Sequence, residues 1–198
     1  MLDENGNTIS PMEFLPIAKK TKLYPQITAE VINQACTLFE KRKEEFSINL
    51  SVSDIVNEKT KQKIIDTIIH TGTASQIVFE ILESEGIENY DEVAKFISEV
   101  KALGSKIAID DFGTGYSNFE NILKLNVDYI KIDGSLIRGI HSNPRHHVIV
   151  ETITDFAHKI GTKTIAEFIS DEETYTIVKK IGINYSQGYF TGKPQILE

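Results

Sequence analysis

Short apolar runs alternate with longer amphipathic stretches along most of the chain. The runs are rich in β-branched residues and have the length of single strands. Between them, stretches such as Asp91–Leu103 and His147–Ile160 repeat apolar residues at helical spacing, and helix ends are predicted at Gly104 and Gly161. Six runs are predicted as strands: Phe46–Ser51, Gln76–Leu82, Lys106–Asp111, Tyr129–Asp133, Thr162–Phe168 and Tyr185–Phe190.

This alternation predicts an α/β fold in which helices join parallel strands. Two architectures fit the pattern, an open doubly wound sheet and an eight-stranded barrel. A barrel needs two more strands, but residues 13–22 and 25–43 predict helices instead. If the fold is a barrel, its first two strands therefore precede Met1. The pattern alone leaves the choice open.

Composition narrows the class of protein. The 198 residues suit one domain, and the formal net charge of −8 disfavours DNA binding through a basic face. Cys36 is the single cysteine, which excludes an internal disulfide, and we expect a buried core thiol. The N-terminus lacks a signal peptide pattern, and no apolar run approaches the ~20 residues of a membrane span. We therefore expect a cytoplasmic domain without membrane contact.

Polar residues follow the apolar part of each predicted strand. Because parallel strands point the same way, these residues converge on one face, where barrels and open α/β sheets carry their chemistry. A single acid at a strand end more often caps the next helix. The adjacent pair Asp110–Asp111, followed by Gly113 and Gly115, favours function instead. The candidate site residues are Asn49, Glu80, Glu83, Asp110, Asp111, Lys131, Asp133, Glu167 and Gln187.

Several carboxylates at one face repel each other strongly unless cations lie between them. The candidate ligands are oxygen atoms, which favours Mg²⁺, Mn²⁺ or Ca²⁺ over zinc. Two such ions suit in-line attack on a phosphodiester. Lys131 could neutralise a phosphate oxygen or orient the attacking water.

The same residues lie in motifs that resemble those of the EAL domain family. The run Asp110–Ser117 (DDFGTGYS) matches the family's loop at eight consecutive positions. Upstream, Phe14–Ala18 (FLPIA) is similar to the family's FIPLA segment. Five further motifs follow in the family's order: Asn49–Ser51 (NxS), Glu80–Ser84 (E-I-T-E-S), Lys131–Asp133 (KID), Ala166–Glu167 (AEG) and Gln187–Tyr189 (QGY) with Pro194.

The resemblance implies a modified TIM-type (β/α)8 barrel whose first strand is antiparallel to the rest. It implies hydrolysis of cyclic di-GMP to linear pGpG with two Mg²⁺ or Mn²⁺ ions. By that resemblance, Asn49, Glu80 and Asp110 would bind one ion, and Asp110, Asp111 and Glu167 would bind the other.

Further roles and partners follow from the same resemblance. Lys131 would hold the attacking water or a phosphate oxygen, and Glu83 would steady the loop after Asp111. Gln187 and Asp133 would contact the substrate, and Glu167 would also take part in catalysis. The implied partners are cyclic di-GMP and an upstream GGDEF or sensor domain, with no DNA. A barrel that lacks two strands has two open edges, which predict self-association, here as a homodimer, or marginal stability.

The chain departs from the family pattern at several positions. The signature that contains the metal-binding Glu of the EAL motif is absent, so residues 1–198 are predicted as one EAL domain that is incomplete at its N-terminus. Phe168 stands where the family has glycine, and we expect it to narrow the site. The other departures are Leu82 for threonine, Ser170 for a second glutamate, and Lys19 and Lys22 upstream.

Three functions stay open at this point. The first is an active phosphodiesterase, the second a degenerate domain that binds cyclic di-GMP without cleaving it, and the third a scaffold that binds a protein partner. Retention of the acids and of Lys131 favours the enzyme. Leu82, Phe168 and Ser170 favour the sensor.

Overall fold

The structure is a computed structural model that describes residues 4–7, 9–21, 23–85, 90–114, 119–195 and 197. Its helices are α1 Pro11–Lys20, α2 Tyr24–Phe39, α3 Val52–Val56, α4 Glu58–His70, α5 Tyr90–Ala102, α6 Phe119–Leu125, α7 Gly134–Ile137, α8 Pro144–Lys159 and α9 Glu172–Ile181. Its strands are β1 Phe46–Asn49, β2 Ile77–Leu82, β3 Lys106–Phe112, β4 Tyr129–Ile132, β5 Lys163–Ala166 and β6 Tyr185–Ser186. No helix in these ranges is both long and apolar enough to span a membrane.

The six strands form one sheet in the order β1-β2-β3-β4-β5-β6, and every neighbouring pair is parallel. A doubly wound sheet reverses its strand order at a switch point, whereas a barrel adds strands one after another. The sequential order therefore confirms the α/β prediction and decides for the barrel type, here a half-barrel. Two further strands of an eight-stranded barrel remain a prediction.

Each strand separates two faces of different chemistry, because successive side chains point to opposite sides of a sheet. On the outer face, side chains such as Phe79, Ile107 and Ile130 are fully buried against the helices in one large core. On the inner face, a small apolar cluster is formed by Val78, Ala108, Tyr129 and Ile165. Two residues after each member of this cluster comes a charged residue: Glu80, Asp110, Lys131 and Glu167.

Some predicted boundaries were wrong, and helix capping explains two of them. The strand predicted to run to Ser51 ends at Asn49, because Ser51 forms a capping box with Asp54 at the start of α3. The strand predicted to include Asp133 ends one residue earlier, because the Asp133 side chain accepts a hydrogen bond from the Ser135 N–H and caps α7.

Other predicted elements were too long. The predicted strand Tyr185–Phe190 keeps only two residues, because the Thr191 and Gly192 N–H groups donate to the Gly188 carbonyl and turn the chain. The strand predicted over Thr162–Phe168 ends at Ala166, and the helix predicted over 25–43 ends at Phe39.

The first predicted helix, 13–22, begins earlier at Pro11, where Ser10 provides the N-cap. Lys22 and residues 115–117 of the DDFGTGYS motif lie outside the described residues.

Candidate active site

Lys131 lies at the centre of the charged residues on the inner face of the half-barrel. Its Nζ atom is 2.7 Å from Glu80 Oε2, 2.8 Å from Asp110 Oδ1 and 2.9 Å from Glu167 Oε1. Each of these four residues is more than nine-tenths buried, and Lys131 is only 4% exposed. One buried ammonium group is thus shared by three carboxylates from three different strand ends.

The backbone of β3 explains how two consecutive acids reach the same cluster. Adjacent strand residues normally point to opposite faces. Between β3 and β4 the register shifts between Ile109 and Phe112, which is a β-bulge, and Asp111 has a positive φ of 56°. As a result, oxygen atoms of Asp110, Asp111 and Glu167 all lie within 4.8 Å of one another.

The site carries more negative charge than Lys131 neutralises. Burial, together with the neighbouring charges of Asp110 and Asp133, raises the pKa of Asp111 above its ordinary value. Burial also raises the pKa of Glu167, although Lys131 opposes the change. Burial alone would lower the pKa of Lys131. The negative charge of Glu80, together with the hydrogen bonds that Lys131 donates to Asp110 and Glu80, outweighs burial and raises this pKa.

This charge pattern fits a divalent cation. Three carboxylate oxygens within 4.8 Å of one another form a set of hard ligands of the kind that Mg²⁺, Mn²⁺ and Ca²⁺ accept. A cation among Asp110, Asp111 and Glu167 would also stabilise the ionised carboxylates, whose pKa values are raised at Asp111 and Glu167.

The remaining predicted site residues surround this cluster at different distances from it. Asn49 is paired in register with Glu80, and both line a cavity of about 570 Å³ beneath α1. The Glu83 carboxylate accepts a hydrogen bond of 3.3 Å from the Gly113 N–H, directly after the bulge. Asp133 accepts a hydrogen bond from the Ser135 N–H and caps α7, and its charge is one cause of the raised pKa of Asp111. Gln187 is exposed and lines two cavities, one of them next to Glu167.

Sequence reasoning missed one residue beside the site. Arg138, at the end of α7, has its guanidinium 4.3 Å from the centre of the Phe168 ring. Both side chains line a cavity of about 390 Å³, together with Glu167 and Tyr189. No motif includes Arg138, and only the packing of α7 against the segment after β5 brings it to the site.

A parallel half-barrel that gathers carboxylates around a lysine at its carboxyl end has the architecture of a TIM-type α/β fold, which carries its site at that end. The EAL domain family model matches residues 1–194, and the chain belongs to this family. This match confirms the resemblance that the sequence motifs indicated, and it extends over nearly the whole chain.

Individual relatives agree with this assignment. The chain is 34% identical to Cyclic di-GMP phosphodiesterase PdeF of Escherichia coli K12, over 100% of this chain and 27% of that protein. It is also 34% identical to Cyclic di-GMP phosphodiesterase PdeB of Shewanella oneidensis, over 97% of this chain and 23% of that protein. The chain thus spans about a quarter of the length of these relatives.

A solved structure shares the fold. The structure described as PaMucR phosphodiesterase in complex with c-di-GMP is 26% identical, with a TM-score of 0.90. The similarity covers 98% of this chain and 81% of that chain.

Proposed function

We propose that this domain is a cyclic di-GMP phosphodiesterase that hydrolyses its substrate to linear pGpG with two divalent ions. The observation that carries the proposal is the buried contact of Lys131 with Glu80, Asp110 and Glu167 at the carboxyl end of the strands. The names of the relatives PdeF and PdeB support the substrate.

The ligand set divides into two groups that share Asp110. Asp110, Asp111 and Glu167 would hold one ion, since their oxygens already lie within 4.8 Å of one another. Asn49 and Glu80, which are neighbours in register, would hold the other ion with Asp110. When bound, such ions lower the pKa of water and neutralise charge on the phosphate; Mg²⁺ and Mn²⁺ both suit oxygen ligands.

The chain's own residues then position the substrate. Lys131 would bind a phosphate oxygen or the attacking water, and its buried ammonium would stabilise negative charge that develops in the transition state. Glu83 holds the Gly113 N–H and would thereby fix the bulge that presents Asp111. Asp133 would help position Asp111 through its neighbouring charge, and Gln187 would contact the substrate from the cavity beside Glu167.

A pGpG release assay with Mg²⁺ or Mn²⁺, run on the full-length protein that contains this domain, tests the proposal. We expect metal-dependent release that is lost on chelation and lost in Asp110→Asn. Equilibrium binding of cyclic di-GMP, measured in parallel, separates the alternatives. Release of pGpG without metal, or no release of pGpG at any metal concentration, would contradict the proposal that the domain is a phosphodiesterase.

The sensor is the second candidate, and Phe168 is the observation that favours it. Its ring is 51% exposed beside Glu167, where the family motif has glycine. The cavity of about 390 Å³ nevertheless stays open beside the ring. Tight binding of cyclic di-GMP without release of pGpG would support the sensor over the enzyme.

The wider setting of the domain is part of the same proposal. We expect a cytoplasmic homodimer that works together with a GGDEF or sensor domain, with residues 1–198 as the EAL unit. Sedimentation velocity tests the homodimer, and a concentration-independent monomer would contradict it.

A further inference from the structure

Phe168 has an unfavourable backbone conformation, yet its side chain is not buried in a way that would offset the strain. Its φ is 55°, a left-handed value that bulky residues rarely adopt. Its side chain is 51% exposed, although it follows directly after the buried Glu167. Strain that no core packing offsets is commonly found at functional sites.

Two neighbours pack against the Phe168 side chain. One is Gly134 at the start of α7, where a Cβ atom would lie 2.7 Å from Phe168 Cγ and 2.9 Å from Phe168 Cβ, so this edge of the side chain packs closely against the glycine. The other is Arg138, whose guanidinium lies 4.3 Å from the ring centre. The Phe168 side chain therefore packs against α7 through both contacts, while about half of the residue's surface stays exposed.

This pair faces a cavity next to the acidic cluster. Phe168 and Arg138 line the cavity of about 390 Å³ with Glu167, Gln187 and Tyr189. This volume lies in the range of small-molecule sites, about 300–1,000 Å³. Phe168 and Tyr189 are exposed, so both rings present π surface at the cavity that also includes Glu167, as does the exposed guanidinium plane of Arg138.

Exposed aromatic and guanidinium planes beside a phosphodiester site are the groups on which nucleic acid bases stack. Arg138 adds a positive charge beside the acidic cluster, and a guanidinium plane favours an electron-rich ring. A purine has a larger π face than a pyrimidine and therefore stacks more strongly. Stacking strength in turn sets base preferences at such sites. The occupant suited to this cavity is therefore a purine base attached to the reacting phosphodiester.

We propose that Phe168 and Arg138 form a purine-stacking wall that determines which dinucleotide this domain accepts. The inference rests on the proposed function for its ligand, but it concerns binding and not cleavage. It differs from the expectation that Phe168 only narrows the site. In that case removal of the ring would improve access and tighten binding; a stacking wall predicts the opposite result.

The test is calorimetric binding of a hydrolysis-resistant phosphorothioate analogue of cyclic di-GMP in Mg²⁺. Phe168→Gly installs the family residue and relieves the backbone strain, so we expect a folded protein. Its dissociation constant should rise roughly tenfold or more, the amount expected for loss of one base–aromatic stack. Phe190→Leu is the matched control, since Phe190 is also half-exposed but contacts Tyr175 outside the cavity.

A second variant moves the ring without removing it. Gly134→Ala should displace Phe168 and weaken binding in the wild-type background, yet have no further effect in a Phe168→Gly background. Competition by cyclic di-UMP should improve relative to cyclic di-GMP in Phe168→Gly, because the purine preference is lost.

The outcomes separate this inference from the proposed function. Unchanged or tighter binding by Phe168→Gly overturns the stacking wall, whatever the pGpG assay shows. Weaker binding by this variant with no pGpG release from the wild type supports the wall and rejects the enzyme. Equal losses in Phe168→Gly and Phe190→Leu also overturn the wall, because they would show a general disturbance.

Discussion

Charges are balanced at the amino end of the sheet but not at its carboxyl end. At the amino end, Lys106 pairs with Glu45, and Lys101 lies 2.8 Å from Asp128. At the carboxyl end, three carboxylates lie within 2.9 Å of Lys131. Paired charges near solvent contribute little, whereas a buried imbalance is expensive to maintain. The difference favours a ligand-binding role for the carboxyl end, whereas the balanced pairs at the amino end need no ligand.

Backbone strain follows the same division. Among the described residues, the non-glycine positions with positive φ are Asp111, Asn126 and Phe168. Asn126 precedes the amino end of β4, and asparagine tolerates this conformation well. Asp111 and Phe168 lie at the carboxyl end, beside the acidic cluster, where their conformations are costly.

The largest expected difference between the two ends concerns catalysis. Asp110→Asn should lower pGpG release by roughly a thousandfold, because several kcal/mol of metal-assisted stabilisation depend on this shared ligand. The matched variant at the amino end, Asp128→Asn, should leave turnover within about twofold of the wild type, since it lies far from the reacting groups. Comparable losses in both variants, measured as initial rates in Mn²⁺, would break the comparison.

The second difference concerns stability without metal. Lys131→Met should lower the free energy of unfolding by about 3 kcal/mol, because three buried carboxylates lose the cation that they share. Urea denaturation with and without Mn²⁺ measures this change in the free energy of unfolding.

Added Mn²⁺ should restore more stability to Lys131→Met than to the wild type, since an ion replaces the missing charge. Lys106→Met is the matched control, and we expect it to cost less than about 1 kcal/mol. An equal response of Lys131→Met and the wild type to Mn²⁺ would argue against a cation site around Lys131.

A smaller effect is expected from the backbone contact of Asp128. Its carboxylate accepts a 2.8 Å hydrogen bond from the Ile107 N–H at the start of β3. Asp128→Ala leaves this donor unpaired and should cost about 1–3 kcal/mol of stability, with no loss of turnover per folded molecule. Chemical denaturation and the pGpG assay on the same sample check both statements; a selective loss of turnover would contradict the division of the two ends.

The smallest effect should come from the partner of Asp128. Lys101 donates to Asp128 and to the Asn126 carbonyl from a partly exposed position. Lys101→Met should therefore cost less than about 1 kcal/mol, and the cost should shrink further at high salt. A loss above about 2 kcal/mol in urea denaturation would show that the amino end depends on charge more than this comparison allows.

Much of the fold followed from local pattern. The β-branched runs predicted all six strands, since strand existence depends on short-range composition. Boundaries were less certain, because Ser51 and Asp133 have side chains that can either continue a strand or cap a helix. The two-residue strand at Tyr185 shows the same limit, since a turn at Gly188 competes with pairing.

The candidate site was predictable in its chemistry but not in its contacts. Period-two alternation and parallel strands indicated that Glu80, Asp110 and Glu167 would converge. Their common dependence on Lys131 could not be predicted, because it depends on the stagger between four strands. Arg138 gave no signal at all, since only the packing of a short helix places it against Phe168.

The sequence by itself determined the order of strands and helices, the family and the supply of oxygen ligands at the strand ends. These properties depend on residue type and on short-range spacing, which the chain carries locally. Tertiary structure decided how those ligands meet. The bulge that turns Asp110 and Asp111 toward one cluster, the burial of Lys131 among three acids and the stacking of Arg138 on Phe168 each require partners distant in sequence, and such contacts form only when the sheet and helices are packed together.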